Sequence, residues 1–147
     1  MNKHCKINIF LVDDDPLFLK SLEIEFLTPP QFSVQTFATG ELCLASLCDK
    51  STQPEVIILD YHLDSIDKNA MNGMETLNKI KAWNTKIPVI MLSSQDKIEI
   101  AVDCMHHKAS DYIVKSETAF VRLRASMENI FKYQRVYKEL SWYMDRM

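Results

Sequence analysis

Polar and charged side chains follow several short apolar runs of the sequence, and their types suit one kind of chemistry. These residues are Asp13 and Asp14, Asp60, Ser93 and Lys115. Two carboxylates repel each other by roughly 4 kcal/mol at 4 Å and an effective dielectric of 20, so a site that gathers them needs a cation. Magnesium suits oxygen ligands, while lysine and serine supply further donors. Together these groups describe a site that handles a phosphoryl group.

The elements that must position these side chains follow from the alternation of patterns along the chain. Short runs of branched and aromatic residues predict strands, and each is followed by a segment with helical periodicity. The predicted strands are Lys6 to Val12, Phe32 to Phe37, Val56 to Leu59, Val89 to Leu92 and Tyr112 to Val114. Apolar strands alternating with helices predict an α/β protein, a doubly wound (βα)5 fold with a parallel sheet. In such folds the site lies outside the carboxyl ends of the strands.

Helix boundaries carry their own markers. Asp15 before Pro16 predicts an N-cap, a role that competes with membership of the acidic cluster. Asn72, followed three residues later by Glu75, resembles a capping box at the start of the third helix. An amphipathic fourth helix is predicted from four apolar residues at helical spacing: Ile98, Ala101, Val102 and Met105.

Composition limits the functions open to this chain. Its 147 residues suffice for one domain with a core, and 47% apolar residues is ordinary globular usage. The net charge of −3 gives no footprint for direct nucleic-acid binding, and no apolar run could span a membrane.

Four cysteines lack metal-finger spacing: Cys5, Cys43, Cys48 and Cys104. They predict free thiols in a reducing compartment, so we expect a cytoplasmic protein. The adjacent His106 and His107 predict a solvated helix end rather than a metal site.

A resemblance to a known family rests on four segments: IFLVDDDP, VIILD, PVIMLSS and DYIVK. They resemble the receiver domain of bacterial two-component response regulators, of the chemotaxis-regulator type, over residues 6 to 131. The resemblance implies a flavodoxin-like strand order 2-1-3-4-5 and a signalling domain rather than an enzyme. It also implies a phosphorelay, in which a sensor histidine kinase or a histidine phosphotransfer protein phosphorylates the domain. The surface of the fourth helix, fifth strand and fifth helix then controls a partner protein or output domain.

The same resemblance assigns the acidic residues. Asp60 matches the phosphoacceptor, the nucleophile that becomes an aspartyl phosphate. Asp13 and Asp14 match the acidic pair that binds Mg²⁺, with Mn²⁺ as an alternative ion. Asp60 itself and the backbone carbonyl of His62 fall at the remaining metal-ligand positions.

Three further residues match groups that respond to the phosphoryl group. Ser93 matches the switch hydroxyl, and Lys115 matches the ammonium that pairs with a phosphoryl oxygen. Tyr112 matches the aromatic rotamer switch on the fifth strand, although a core tyrosine without a switching role is the alternative.

The chain departs from the family pattern at two places near the site. Ser116 replaces the proline that usually follows the lysine through a cis peptide bond, which leaves the aim of Lys115 open because a non-proline cis bond costs roughly 2.5–4 kcal/mol. The loop from Asp60 to Gly73 is longer than is usual, and it adds Asp64 and Asp67. A solvated surface insertion and an influence on metal access or dephosphorylation are the two interpretations.

The C-terminal end has a helical pattern of its own. Tyr133, Tyr137, Leu140, Met144 and Met147 follow a strict 4,3,4,3 spacing, typical of a heptad seam. We therefore divide the chain into a receiver domain at 1–131 and a helical extension at 132–147, serving as linker or dimerisation helix. A homodimer and a helix folded on its own domain both remain open, as does a longer regulator of which this chain is the front.

Two other functions compete with the phosphoacceptor. A degenerate receiver would act as an interaction scaffold, which Ser116 and the long loop favour. A haloacid-dehalogenase-like phosphatase would use Asp13-x-Asp15 with Ser93 and Lys115, but it lacks the later acidic motif and has Leu17 where threonine is usual.

Overall fold

The computed structural model describes residues 6–146 as five β-strands alternating with five α-helices. The strands are β1 (Ile7–Val12), β2 (Phe32–Phe37), β3 (Val56–Asp60), β4 (Val89–Ser93) and β5 (Asp111–Val114). The helices are α1 (Pro16–Glu25), α2 (Gly40–Leu47), α3 (Gly73–Trp83), α4 (Ile98–His106) and α5 (Ala119–Asp145). Cys5 and Met147, which entered two sequence predictions, lie outside these residues. Within 6–146, no helix has the length and apolar character that crossing a bilayer would require.

All five strands form one parallel sheet in the order β2-β1-β3-β4-β5, so the predicted fold is confirmed. The register pairs Val12 with Leu59, Asp60 with Leu92, and Ser93 with Val114. Neighbouring strands lie only about 4.8 Å apart, so the residues that end β1, β3, β4 and β5 come together at one edge of the sheet.

Burial on both faces of the sheet explains why the central strands are apolar throughout. Every residue of β3 and of β4 is buried. One core cluster packs α2, α3 and α4 onto one face through residues such as Leu47, Leu77 and Cys104. The second packs α1 and α5 onto the other face through residues such as Leu22 and Leu123. Both layers hold the central strands rigid, and these strands carry Asp60 and Ser93.

Side-chain caps start two of the helices as predicted. Asp15 accepts hydrogen bonds from the backbone amides of Leu17 and Phe18, which confirms its N-cap role. Asn72 accepts from the amide of Glu75 at 2.8 Å and begins α3. Each cap satisfies an amide that would otherwise lack a partner in the first helical turn.

The fourth helix forms where the spacing predicts it, but its apolar stripe does not face the core. Ile98, Val102 and Met105 are 72%, 48% and 48% exposed. Ile100 and Cys104, four residues apart, pack against the core instead. The short helix therefore has apolar side chains on both sides, and one set faces solvent.

The fifth helix is a single helix of 27 residues. Its first half buries Ala119, Leu123 and Met127 against the sheet. Side chains from Lys132 onward are exposed or half-buried, so the second half continues the helix beyond the main body of the domain.

Candidate functional site

Three carboxylates meet at the carboxyl edge of the sheet. Asp13 and Asp14 follow β1, and Asp60 ends β3. One potential ligand atom from each lies within 4.8 Å of the others, and the three residues are at most 9% exposed. The parallel register produces this convergence, since β1 and β3 are neighbours that end at the same level.

Lys115 places its ammonium between two of these carboxylates. Its Nζ lies 2.9 Å from Asp13 Oδ2 and 3.3 Å from Asp60 Oδ1, and 4.4 Å above the ring of Phe18. Burial lowers the pKa of Lys115, but the two acids outweigh it and raise the pKa above its ordinary value. The ammonium is therefore held charged inside the cluster.

The aim of Lys115 does not depend on a cis peptide. Thr28–Pro29 is the cis bond found in the described part of the chain, so Lys115–Ser116 is trans. The Lys115 amide donates to the carbonyl of Ser93 at 2.7 Å, which continues the pairing of β5 with β4 past the strand ends. This backbone contact positions Lys115 without the proline.

Ionising the Asp60 carboxyl group costs free energy at this buried position. Loss of solvent contact and the neighbouring charge of Asp13 raise its pKa well above the ordinary value. Lys115 and the amide of His62, which donates to Asp60 Oδ1 at 3.3 Å, offset only part of that effect. An additional cation would offset the free-energy cost of ionising Asp60 that remains. The three carboxylates therefore fit a hard divalent ion.

Ser93, Gln95 and Tyr112 form a hydrogen-bonded group beside the carboxylates. Ser93 is fully buried at the end of β4, and its Oγ accepts from the Gln95 amide at 3.0 Å. The hydroxyl of Tyr112 donates to the Gln95 carbonyl at 2.5 Å. Burial raises the pKa of Tyr112. The Gln95 backbone thus joins the two residues that the sequence suggested as switches.

The long loop after β3 contacts the core and the acidic cluster, which a fully solvated insertion would not do. Leu63 is buried in the core, whereas Ile66 is 73% exposed at the loop's outer part. Between them, the Ser65 amide donates to Asp14 Oδ2 at 3.0 Å. A backbone amide has no sequence signature, and only the length of the loop indicated that something could reach the acidic pair.

Gly73 sets how closely α3 approaches the site. A Cβ at this position would overlap the carbonyl oxygen of Asp60 and come within 2.6 Å of Tyr61 Cα. The Gly73 amide donates to the Tyr61 carbonyl at 3.1 Å and closes the loop onto the end of β3. The capping pattern at Asn72 predicts the helix start here, but nothing in the sequence indicates the steric role of Gly73.

Among residues 6–146, the histidines do not belong to any potential metal-ligand group. His62 packs its ring edge-on against Tyr61, with a centroid distance of 4.9 Å, and its Nε2 is buried without a hydrogen-bond partner among the described residues. His107 Nδ1 lies 2.8 Å from the Asp103 carbonyl at the exposed end of α4. Asp13, Asp14 and Asp60 are the potential metal-ligand group that residues 6–146 contain.

Comparison with known proteins gives a consistent result. Residues 9–128 match the family model described as response regulator receiver domain. The chain is 29% identical over 119 residues to the regulatory protein LuxO of Vibrio vulnificus, covering 81% of this chain and 24% of LuxO. It therefore spans about a quarter of the length of that relative.

Solved structures agree with the fold. NtrX from Brucella abortus matches with a TM-score of 0.78 and 26% identity, covering 95% of this chain and 30% of NtrX. The BeF₃-activated receiver domain of DrrB matches with a TM-score of 0.68 and 26% identity, covering 84% of this chain and 98% of that domain. DrrB comes from Thermotoga maritima.

Proposed function

This chain belongs to the response regulator receiver domain family, and on that premise we propose that Asp60 accepts a phosphoryl group in a two-component phosphorelay. The donor is a phosphohistidine of a sensor histidine kinase or of a histidine phosphotransfer protein. The observation that carries the proposal is Lys115, whose ammonium reaches both Asp13 and Asp60. A carboxylate beside a fixed cation, at the edge of a parallel sheet, suits phosphoryl transfer.

The residues support a simple sequence of events. The Asp60 oxygen not held by Lys115 and His62 attacks the phosphorus, an O–P bond forms, and the P–N bond to the donor histidine breaks. The electron pair of that bond stays on the imidazole nitrogen. The histidine leaves as a neutral imidazole when its other ring nitrogen carries a proton, and otherwise it takes a proton from water. The phosphoryl group thus moves from the donor's histidine to Asp60, and the histidine is the leaving group.

A divalent cation fits the acidic cluster, for which we propose Mg²⁺, with Mn²⁺ as a substitute. Asp13, Asp14, Asp60 and the His62 backbone carbonyl would hold it. When bound, it would offset the charge of the carboxylates and of the phosphoryl oxygens. The raised pKa of Asp60 supports this assignment, since a buried carboxylate beside Asp13 needs positive charge to stay ionised.

Phosphorylation then changes what Lys115 and Ser93 contact. Aspartyl phosphate carries a charge nearer −2 than −1, so its oxygens need donors. Lys115 is already adjacent, and the Ser93 hydroxyl can turn toward the phosphoryl group. Because Ser93 Oγ now accepts from the Gln95 amide, and the Gln95 carbonyl accepts from Tyr112, this movement reaches the start of α4 and β5.

The output we propose is a change at the surface of α4, β5 and α5, which contacts a downstream protein or an output domain. Support comes from α4, where Ile98, Val102 and Met105 are exposed and apolar. A shallow groove is lined by Ala101, Val102, Met105 and His106. Phosphorylation would shift the population between two arrangements of this surface.

A cytoplasmic location is part of the proposal and agrees with the free thiols of Cys43, Cys48 and Cys104.

Labelling with a small acyl phosphate in the presence of Mg²⁺ tests the proposal. Intact-mass analysis should show one phosphoryl group, labile to base, on the natural chain. Asp60→Asn should abolish the label, and Asp64→Asn, which removes a loop acid outside the metal-ligand group, should retain it. Unlabelled natural protein would instead support an interaction scaffold.

The phosphatase alternative makes a different prediction in the same experiment. It requires label that survives Asp60→Asn and disappears in Asp13→Asn. Asp15 argues against this function, because its carboxylate caps α1 through Leu17 and Phe18 and is not one of the clustered acids.

A further inference from the structure

We propose that the C-terminal half of α5 pairs with the same helix of a second copy of this chain. The surface concerned, which we call the tail face, consists of six apolar residues: Tyr133, Val136, Tyr137, Leu140, Tyr143 and Met144. Their exposed fractions lie between 55% and 73%. This inference is independent of phosphorylation at Asp60, and it concerns a part of α5 beyond the surface that we propose for output.

The tail face does not continue the stripe of α5 that packs on the domain's own core. Leu123, Met127 and Ile130 direct the first half of α5 toward the sheet. At about 100° per residue, the centre of the tail face lies roughly a quarter turn from that stripe. No hydrogen bond or ion pair of the described residues joins positions 136–146 to another element. The alternative of a helix folded back on its own domain is therefore disfavoured.

The area of the tail face is large enough for a dimer. Tyr133, Tyr137 and Tyr143 are 73%, 63% and 63% exposed, so at about 200 Å² per ring they alone expose about 400 Å². Two copies would bury about twice that area, and the three aliphatic residues raise it above the roughly 1,000 Å² expected of a specific interface. Exposed apolar patches of this size mark interaction sites.

The spacing of the tail face identifies a second copy as the occupant. Tyr133, Tyr137, Leu140 and Met144 recur at alternating intervals of four and three residues, which is the repeat of a helix that packs against another helix with the same repeat. An identical helix supplies such a partner, and a two-fold pair closes without leaving a free copy of the face. On one flank Gln134 and Ser141 are uncharged, so the two helices do not oppose like charges there.

A helix with an uncovered stripe also has a thermodynamic reason to pair. Helical segments of about 12–15 residues are marginal in water, and most of their stability in proteins comes from packing an apolar face. Residues 132–145 have little such packing within one copy. Association would supply the missing burial for both chains at once.

Sedimentation equilibrium on the full chain tests this inference with two matched variants. Leu140→Lys places a charge on the tail face. Trp142→Lys places the same charge on the opposite side of the same helix, about 200° away. The two positions are comparably exposed, at 56% and 51%. We expect the natural chain and Trp142→Lys to dimerise, and Leu140→Lys to raise the dimer dissociation constant at least about tenfold.

The outcomes separate the possible occupants. Circular dichroism should show that both variants keep the helical content of the natural chain. A natural chain that stays monomeric over the whole concentration range would overturn the proposal and leave a different protein as the occupant. Equal weakening by both variants, or a dimer that persists in a chain ending at Phe131, would also overturn it. Each result is independent of whether Asp60 can be phosphorylated.

Discussion

At the scale of single residues, the site is built by balancing charges. Lys115 is held between Asp13 and Asp60, while the third acid, Asp14, accepts a hydrogen bond from the Ser65 amide. Carboxylates that bind metals are commonly fixed by such outer hydrogen bonds, which orient the ligand oxygen before the ion arrives. On our proposed function, the long loop after β3 thus acts on the metal through one backbone amide.

Removing that amide should weaken metal binding. Ser65→Pro deletes the N–H group that contacts Asp14, and Ser65→Ala deletes only the side chain, so it serves as the matched control. We expect the Mg²⁺ dissociation constant from titration calorimetry to rise about tenfold in Ser65→Pro and to stay unchanged in Ser65→Ala. Equal affinities in the two variants, with unchanged melting temperatures, would show that the contact does not orient Asp14.

At the scale of elements, the strands could be predicted from sequence more fully than the surfaces of the helices. β3 and β4 are buried on both faces, so their unbroken apolar runs indicate central strands of a parallel sheet. The spacing in α4 predicted the helix but not its orientation, because Ile100 and Cys104 were as suitable for the core as the exposed stripe. A pattern shows that a helix has two faces, whereas the neighbouring elements decide which one is covered.

The acidic cluster was predictable for the same reason as the strands. Asp13 directly follows an apolar strand and Asp60 ends one, and strand order then places them together. The contacts of Ser65 and Gln95 were not predictable, because both use backbone groups whose positions depend on loop conformation. Ser116 left the aim of Lys115 open at the sequence level, because the backbone contact with Ser93 that positions it has no sequence signature.

The junction between β3 and α3 should tolerate no side chain at position 73. Gly73→Ala gains helix propensity, yet its Cβ would overlap the backbone of Asp60 and Tyr61. We expect a net loss of about 1–3 kcal/mol in the free energy of unfolding, measured by urea denaturation. Lys79→Ala, on the exposed side of α3, is the control and should change stability by less than about 0.5 kcal/mol. A Gly73→Ala variant as stable as that control would contradict the steric argument.

At the scale of the whole molecule, the site reduces the stability of the fold that carries it. The pKa of Asp60 is raised in the folded state by burial and by Asp13, so the native protein holds a proton that the unfolded chain releases. Stability contributed by this group is therefore present at low pH and is lost as the pH rises above about 4, the ordinary value for an aspartate. The loss is complete once the pH exceeds the raised pKa of Asp60.

Asp60→Asn should accordingly stabilise the protein in the absence of divalent ions. With a chelator present, we expect its advantage in unfolding free energy to grow from near zero at about pH 4 to about 1–3 kcal/mol near neutral pH, and then to level off. Urea denaturation at several pH values measures this difference. Added Mg²⁺ should reduce the advantage by stabilising the natural chain. A variant that is less stable than the natural chain at neutral pH would mean that Asp60 contributes favourable contacts instead.

The unbroken course of α5 has a mechanical consequence. The helix begins four residues after Lys115 and continues for 27 residues, which makes it a rod of about 40 Å at a rise of 1.5 Å per residue. A tilt of about 5° at the end near Lys115 would move the far end sideways by about 3–4 Å over that length. A rearrangement at the site that is too small to repack the core is therefore large enough, at the far end of α5, to change the contacts that this end makes with a bound protein.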